Sequence, residues 1–209
     1  MNRRILGSIP KLKTATVAIL FVGLAVRCSL APYSAGSDVP QFYGFARIFL
    51  EHGLSFYRYM PGELWPYPWP YAYPPLWILV LSVLAILDPG EHVKTFDQGG
   101  VFRVFVDQNW IMDVKSVLMG GDILVGVLIY RIVGGGLKGF ISVALWLFNP
   151  MVIYVSSIYG MFDVIPLLFI LLAIELCRKE KHVLAGVSIG LAAMFKQSAL
   201  PAVLPLIFY

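Results

Sequence analysis

Charged residues are scarce in this chain. They make up 13% of its 209 residues, whereas a soluble domain carries roughly 25%. Hydrophobic residues make up 59%, and several apolar runs approach the ~20 residues that cross a bilayer. The composition therefore predicts an all-α integral membrane protein, a polytopic bundle of transmembrane helices that forms a single domain over residues 1–209.

Cysteines and the familiar catalytic motifs are also scarce. Cys28 and Cys177 both fall in apolar segments, so no disulfide framework is indicated. The sequence has no His-Glu-x-x-His or paired-cysteine metal motif, no P-loop and no Gly-x-Ser-x-Gly turn, and we expect no metal and no cofactor. The net charge of +4 does not indicate nucleic acid, because the basic residues lie between hydrophobic runs, where they are typical of cytoplasmic anchors.

The first apolar run extends from Thr14 to about Ala31 and follows a basic start at residues 1–13. The same order is typical of a signal peptide. Arg27, however, interrupts the apolar region just before any small-residue cleavage site. The pattern therefore favours an uncleaved helix.

Residues 32–73 form the first large loop, in which Arg47 and Arg58 are the only Lys or Arg residues. The positive-inside rule predicts that this loop faces outside and that residues 1–13 and 178–182 face the cytoplasm. Within the loop, residues 40–53 predict a helix in the membrane interface that ends at Gly53. Its apolar face consists of Phe42, Phe45, Ala46, Phe49 and Leu50, and the residues off that face are Gln41, Arg47, Glu51 and His52.

The later apolar runs leave one question of topology open. These runs are Pro74–Leu87, Val114–Val133, Phe140–Ser156, Phe162–Cys177 and Val183–Tyr209. The first would be about 21 Å long as a helix, which is short of a core of about 30 Å. The loop 134–139 has Arg131 before it and Lys138 within it and is therefore also predicted to face the cytoplasm. An odd number of crossings must then separate it from the outer loop 32–73, but only two apolar runs lie between them. Either Pro74–Leu87 does not cross alone, or residues 99–112 supply a further crossing.

Asp38 closes a stretch of small residues directly before the predicted helix in the outer loop. One interpretation is a helix N-cap, a position that Asp favours. The other is a general base, since the helix dipole keeps a carboxylate at this end ionised. The two roles are compatible, and Asp38 is our candidate catalytic residue.

A run of aromatic residues and prolines from Trp65 to Trp77 closes the same loop. It is typical of an aromatic belt at the bilayer surface, and equally of a wall for sugar rings or a polyprenyl chain. Because the prolines remove backbone donors, we predict a rigid segment without regular secondary structure.

Several charged residues lie in or beside apolar helices, where charge is costly. Asp122 must face the interior of the bundle, with or without a basic partner. Lys115 and Lys196 suit a leaving phosphate, although snorkelling to the interface is the alternative for Lys115. Asp163 closes a polar patch that begins at Ser156 and is otherwise typical of a plain turn. The candidate substrate-binding residues are Arg58, Tyr73, Trp77, Lys115, Asp122, Asp163 and Lys196.

Taken in order, these segments resemble a known family. The relevant stretches are "HGLSFYRY" (52–59), "YAYPPLW" (71–77), "GDILVGVLIYRI" (121–132), "LWLFNPMVIYVSSIYGMFD" (145–163) and "AGVSIGLAAMFKQSALPAVLPL" (185–206). Together with Asp38 they resemble the dolichyl-phosphate-dependent mannosyl- and glucosyltransferases of the GT-C fold. The likeness is greatest to the catalytic subunit of GPI mannosyltransferase I and its archaeal relatives, and it covers residues 30–209.

The resemblance implies an inverting, metal-independent hexosyltransferase, with mannosyl transfer the first expectation. The donor would be a polyprenyl- or dolichyl-phosphate sugar, the acceptor a lipid-linked molecule or a protein, and Asp38 the base that acts on the acceptor hydroxyl. The protein would be a multi-pass protein of the cell membrane, or of the endoplasmic reticulum membrane in a eukaryote. Members of the family continue with further helices, so we expect this chain to be truncated at its C-terminus.

Two other functions fit the same residues. A transporter or flippase of lipid-linked sugars would also use membrane-buried charges and aromatic walls, although the sequence shows no inverted repeat. A non-catalytic membrane subunit, completed by a separately encoded C-terminal half, is the other alternative.

Overall fold

The computed structural model describes residues 8–58, 65–99, 101–202 and 204. In these residues the chain forms eight α-helices and one pair of β-strands. The helices are α1 (Ser8–Leu30), α2 (Asp38–His52), α3 (Pro75–Leu87), α4 (Gln108–Ile132), α5 (Gly136–Leu147), α6 (Pro150–Ile153), α7 (Val164–Cys177) and α8 (His182–Phe195). The strands are β1 (Val93–Gln98) and β2 (Val101–Val106). Short 3-10 helices span Ala31–Tyr33, Gly53–Arg58 and Gln197–Ala202, and a π-helical turn, Tyr154–Tyr159, continues α6.

Parts of four sequence interpretations lie outside the described residues. They are residues 1–7 of the basic start, residues 59–64 of the outer loop, residue 100 of the stretch 99–112, and residues 203 and 205–209 of the last apolar run.

Local sequence signals fix several helix ends. The Asp107 carboxylate accepts a hydrogen bond from the Asn109 backbone N–H at 2.6 Å and caps the start of α4. Asn149 caps α6 in the same way through the Met151 N–H, at 2.9 Å. Gly53 ends α2 with φ of +55°, a conformation that glycine adopts without a steric penalty. A helix over residues 40–53 is thus confirmed, with its start two residues earlier. Its place in the membrane interface stays a prediction.

The predicted faces of α2 are only partly correct. Phe42 and Phe45 are buried, whereas Leu50 is 46% exposed. Gln41, expected off the apolar face, is 2% exposed, because the loop that begins at Trp65 covers this end of the helix. The Gln41 side-chain oxygen accepts a hydrogen bond from the Tyr67 N–H at 2.9 Å, which offsets the cost of burying that oxygen. Its amide nitrogen has no partner among the described residues.

The strands β1 and β2 form an antiparallel hairpin in which Val93 pairs with Val106. Of the two alternatives that the sequence left open, a further crossing over 99–112 is therefore excluded. Its first part belongs to β2 and its last part begins α4. Sequence periodicity did not distinguish a strand from a helix in this stretch, because a short apolar run fits both equally well.

Both ends of α3 lie near α2. At its start, the Trp77 ring contacts Phe42 edge-on, with centroids 5.5 Å apart. At its end, Asp88 lies 3.5 Å from His92, and the His92 ring stacks on Trp110 in the first turn of α4. The Tyr43 hydroxyl of α2 donates to the Gly90 carbonyl just beyond α3, at 2.8 Å, so the chain that leaves α3 lies beside α2 and the start of α4.

Helix lengths bear on the predicted spans. By length and composition, one helix in the described residues can cross a membrane alone, Leu12–Tyr33. The segments Gly136–Leu147 and Pro150–Tyr159 are long and apolar enough to cross only if they form one span, which is bent by 48° between them. Three shorter apolar helices, α3, α7 and α8, accompany them. The predicted run from Val183 is not one continuous helix, because α8 stops at Phe195 and Lys196 has extended backbone.

Candidate active site

Asp38 is the first residue of α2 and is half-buried. The N-cap position belongs to Ser37, whose side chain makes no capping hydrogen bond. No hydrogen bond to the Asp38 carboxylate is formed by the residues that the structure describes. The predicted capping role of Asp38 is therefore not seen, and its oxygens remain available as acceptors at the positive end of a helix.

Asp163 and Lys196 stand at the ends of two other helices, close enough to Asp38 for their charges to act on it. Lys196 follows α8, Asp163 precedes α7, and the Lys196 ammonium lies 2.5 Å from a carboxylate oxygen of Asp163. Their side chains are 20% and 45% exposed, respectively. The ion pair is thus open on one side, where a ligand can reach it.

The charges of this group of residues affect the pKa values of Asp38 and Tyr73. Desolvation raises the pKa of Asp38, the nearby Lys196 charge opposes this rise, and the Asp163 charge adds to it. Desolvation also raises the pKa of Tyr73, and the charges of Asp38 and Asp163 raise it further. A neutral Tyr73 hydroxyl is a hydrogen-bond donor. We refer to Asp38, Tyr73, Asp163 and Lys196 as the Asp38–Lys196 cluster.

Two glycines let the Asp38 loop touch the turn before Asp163. The Gly36 N–H donates to the Tyr159 carbonyl at 2.7 Å, and a Cβ at Gly36 would lie 2.5 Å from the Tyr159 ring. Gly160 has φ of +94°, and a Cβ there would lie 2.5 Å from Val39. Side chains at either position would push the two segments apart, so the lack of Cβ atoms brings Asp38 and Asp163 to one site.

The aromatic segment forms one side of the cluster. Residues 65–74 have neither helix nor strand, as their prolines predict. The predicted irregular segment ends three residues early, because α3 begins at Pro75, a position in the first turn that proline tolerates. The Lys196 ammonium lies 5.9 Å from the Tyr73 ring centroid and 5.4 Å from that of Phe162, within the range of a cation–π contact. Trp77 stacks on Phe162 at 4.5 Å but is fully buried. Trp77 therefore supports the site from beneath and has no surface for a ligand.

Comparison with known families matches residues 71–209 to glycosyltransferase family 87. This range covers more than half of the chain. The chain belongs to glycosyltransferase family 87. No curated protein and no solved structure matches it. The match therefore supports a GT-C-like glycosyltransferase and not the closer likeness to GPI mannosyltransferase I.

Family membership makes this protein a membrane glycosyltransferase, which requires a sugar donor and an acceptor. The matched range includes Tyr73, Asp163 and Lys196 and begins after Asp38. The assignment of Asp38 consequently depends on its geometry within this family-87 chain.

Lys115 does not belong to the cluster. Its side chain is fully buried in α4, and its ammonium donates to the carbonyls of Ala31, Ser34 and Ile158. An ammonium has three donors, so none is left for a phosphate. Snorkelling to the interface is excluded as well, because these carbonyls close over the amine.

Asp122 is also engaged within the protein. Its carboxylate accepts hydrogen bonds from Arg27 Nε at 2.8 Å and from Ser156 Oγ at 2.5 Å, and both partners of the ion pair are fully buried. The prediction that Asp122 faces the interior is confirmed. Sequence reasoning missed its partner Arg27, although a second charge in an apolar run was a usable signal.

Arg58 is exposed at the end of a 3-10 helix. The preceding residue, Tyr57, donates its hydroxyl to the Tyr73 carbonyl at 3.2 Å. Within the described residues, no ion pair joins Arg58 to the cluster. Arg58 thus lies next to the aromatic segment, and its role in substrate binding stays a prediction.

Proposed function

We propose that this family-87 protein transfers a hexosyl group, with inversion, from a polyprenyl-phosphate sugar to a hydroxyl of a lipid-linked or protein acceptor. Mannose is our first choice of sugar, on the strength of the motif resemblance alone. The observation that carries the proposal is the half-buried Asp38 carboxylate, which has no hydrogen-bond partner among the described residues and feels the charges of the partly exposed Asp163–Lys196 pair.

In the proposed reaction, Asp38 accepts the proton of the acceptor hydroxyl as the hydroxyl oxygen bonds to the anomeric carbon of the sugar. The bond between that carbon and the phosphate oxygen breaks, and its electron pair stays on the phosphate. Desolvation favours the protonated form of a carboxylate, so the ionised Asp38 is a stronger base than one in water.

Lys196 is the proposed partner of the leaving phosphate. A polyprenyl-phosphate sugar is a phosphodiester with one negative charge, and the released phosphate gains a second. A fixed cation favours the state in which this charge develops. Lys196 is held by Asp163 and by two aromatic rings, so its position is set before the donor arrives. Asp163 would keep the ammonium oriented while the phosphate binds on its exposed side.

The lipid part of the donor has an apolar cavity beside the same pair. A cavity of about 160 Å³ is lined by Val152, Val155, Val164 and Leu167 and extends from Asp163 to Asp122. Its lining is almost entirely hydrophobic, as a segment of polyprenyl chain requires.

We also propose a multi-pass arrangement in which the Asp38–Lys196 cluster lies outside. The opposite ends of α4 and α7 are basic, since Glu175 is surrounded by Arg131, Arg178 and Lys179 at 3.7, 3.8 and 2.8 Å. Such a group of basic residues is typical of the cytoplasmic side. With α3 and the hairpin on the outer side, the crossing between residues 73 and 134 is made by α4, which has 25 residues although it does not pass the composition test for a span because of its charged residues. One crossing is an odd number, as the orientation requires.

The test is sugar transfer from a polyprenyl-phosphate mannose donor in membranes that contain Asp38→Asn or unmutated protein. Asn is about as good as Asp near a helix start, so the protein should accumulate normally. A general base contributes ~10²–10⁴-fold in rate, and we expect a loss in this range. Glu51→Gln, at the exposed far end of the same helix, is the matched control and should transfer at the unmutated rate.

Transfer by Asp38→Asn at the unmutated rate would refute the assignment of the base. If the unmutated protein shows no transfer with any donor but moves lipid-linked sugar across vesicles, a transporter replaces the enzyme. If activity appears only on addition of a separately encoded half, the chain is a subunit and the assay is repeated with both parts.

A further inference from the structure

The buried Lys115 ammonium contacts two helix ends at once. Its bonds to Ala31, at 2.8 Å, and to Ser34 lie where α1 passes into the Asp38 loop, and its bond to Ile158, at 2.9 Å, lies at the end of the π-helical turn. The last carbonyls of a helix lack partners within the helix and carry partial negative charge. The fully buried cation therefore supplies hydrogen-bond donors and a compensating charge to carbonyls from both segments.

The segments that Lys115 joins are the ones that carry the site. Asp38 follows Ser34 by four residues along the chain, and Asp163 follows Ile158 by five. Three further contacts join the same segments: the Gly36 N–H to the Tyr159 carbonyl at 2.7 Å, the Ser34 hydroxyl to the Ile158 carbonyl at 3.3 Å, and the Ser37 and Tyr159 hydroxyls at 3.4 Å. Among these contacts, Lys115 supplies the one formal charge.

We propose that Lys115 is a positioning residue for sugar transfer: by binding both segments from beneath, it holds Asp38 at a fixed distance from the Asp163–Lys196 pair. This role rests on the proposed function, in which Asp38 and Lys196 act on opposite sides of one anomeric carbon. Without Lys115 the Asp38 loop moves, and a displacement of about 1 Å at a catalytic group can cost ~10²-fold in rate.

The kinetic test compares Lys115→Met and Lys115→Gln with Ser116→Ala, a change at the adjacent exposed position of the same helix. We expect Lys115→Met to lower kcat by ~10²-fold with little change in KM for the donor, because the phosphate is bound by Lys196. Lys115→Gln keeps two N–H donors and should lose less. Ser116→Ala should be unchanged.

A double-mutant cycle separates positioning from general destabilisation. If Lys115 acts through Asp38, Lys115→Met should have little further effect on kcat in the Asp38→Asn background, since residues that act as a unit are non-additive. Equal losses of kcat in both backgrounds, or a change confined to KM for the donor, would overturn the proposal.

A measurement without activity keeps this proposal distinct from the proposed function. A spin label on Ala35→Cys, an exposed position in the Asp38 loop, should become more mobile in Lys115→Met and less so in Lys115→Gln. A label on Val183→Cys, which is 82% exposed at the other end of the bundle, should be unaffected. Cys28 and Cys177 are replaced by Ser in all variants. Unchanged mobility at position 35 would overturn the positioning role even if Asp38 proves to be the base.

Discussion

Arg27 and Asp122 form an ion pair at 2.8 Å with both side chains fully buried, and this pair joins α1 to α4. Arg27 also donates to the carbonyls of Gly23 and Leu147, at 3.1 and 2.8 Å. The pair therefore connects three helices in the apolar part of the bundle. It explains why each residue tolerates a position where a lone charge would be costly.

We predict that Arg27→Met destabilises the fold by about 3–5 kcal/mol, because it leaves the Asp122 carboxylate buried without its cation. The double variant Arg27→Met, Asp122→Met should recover much of this loss, since apolar residues can replace a buried pair. The measurement is thermal unfolding of the purified protein in detergent. Arg47→Met, in an exposed pair with Glu51 at 3.8 Å, is the control and should change stability by less than about 1 kcal/mol. Equal effects of Arg27→Met and Arg47→Met would contradict the prediction.

The pH dependence of transfer should follow the charges around Asp38. A general base must be ionised, so kcat/KM should fall as the pH drops through the Asp38 pKa, which desolvation holds above its usual range. Lys196 lowers this pKa and Asp163 raises it. We therefore expect the acid limb of the profile, where kcat/KM falls with falling pH, to move to higher pH in Lys196→Met and to lower pH in Asp163→Asn. These shifts should appear even if the variants transfer sugar more slowly.

The check is a pH profile of kcat/KM for each variant, normalised to its own maximum. Glu51→Gln, remote from the cluster, should leave the limb in place. Shifts of the same sign in Lys196→Met and Asp163→Asn would show that the limb reports another group.

The hairpin and the Asp38 loop should lie on one side of the membrane. We predict that Tyr33→Cys and Phe96→Cys, which are 82% and 50% exposed, react with an impermeant thiol reagent from the outer side. Leu137→Cys and Val183→Cys should react from the cytoplasmic side only. The background carries Ser at positions 28 and 177. Cytoplasmic labelling at position 96 would mean that α3 crosses the membrane after all.

The sequence determined the features that depend on local pattern. The low charge content and apolar runs indicated a membrane protein, and the spacing of Phe42, Phe45 and Phe49 predicted α2, because burial of one helix face imposes a period of 3.6 residues. The prolines of the aromatic segment predicted its lack of regular structure. Asp122 was expected to face inward, because a carboxylate exposed to hydrocarbon is energetically costly.

Only the tertiary structure decided which charges meet. Arg27 and Asp122 are 95 residues apart in the sequence, and Asp163 and Lys196 are 33 apart, so no local period connects them. Lys115 and Lys196 look alike in sequence, as single cations in apolar runs, yet one is closed in by three carbonyls and the other faces the site. The difference arises because the partners of a buried charge are set by how helices pack, and packing brings together residues that the local pattern leaves independent.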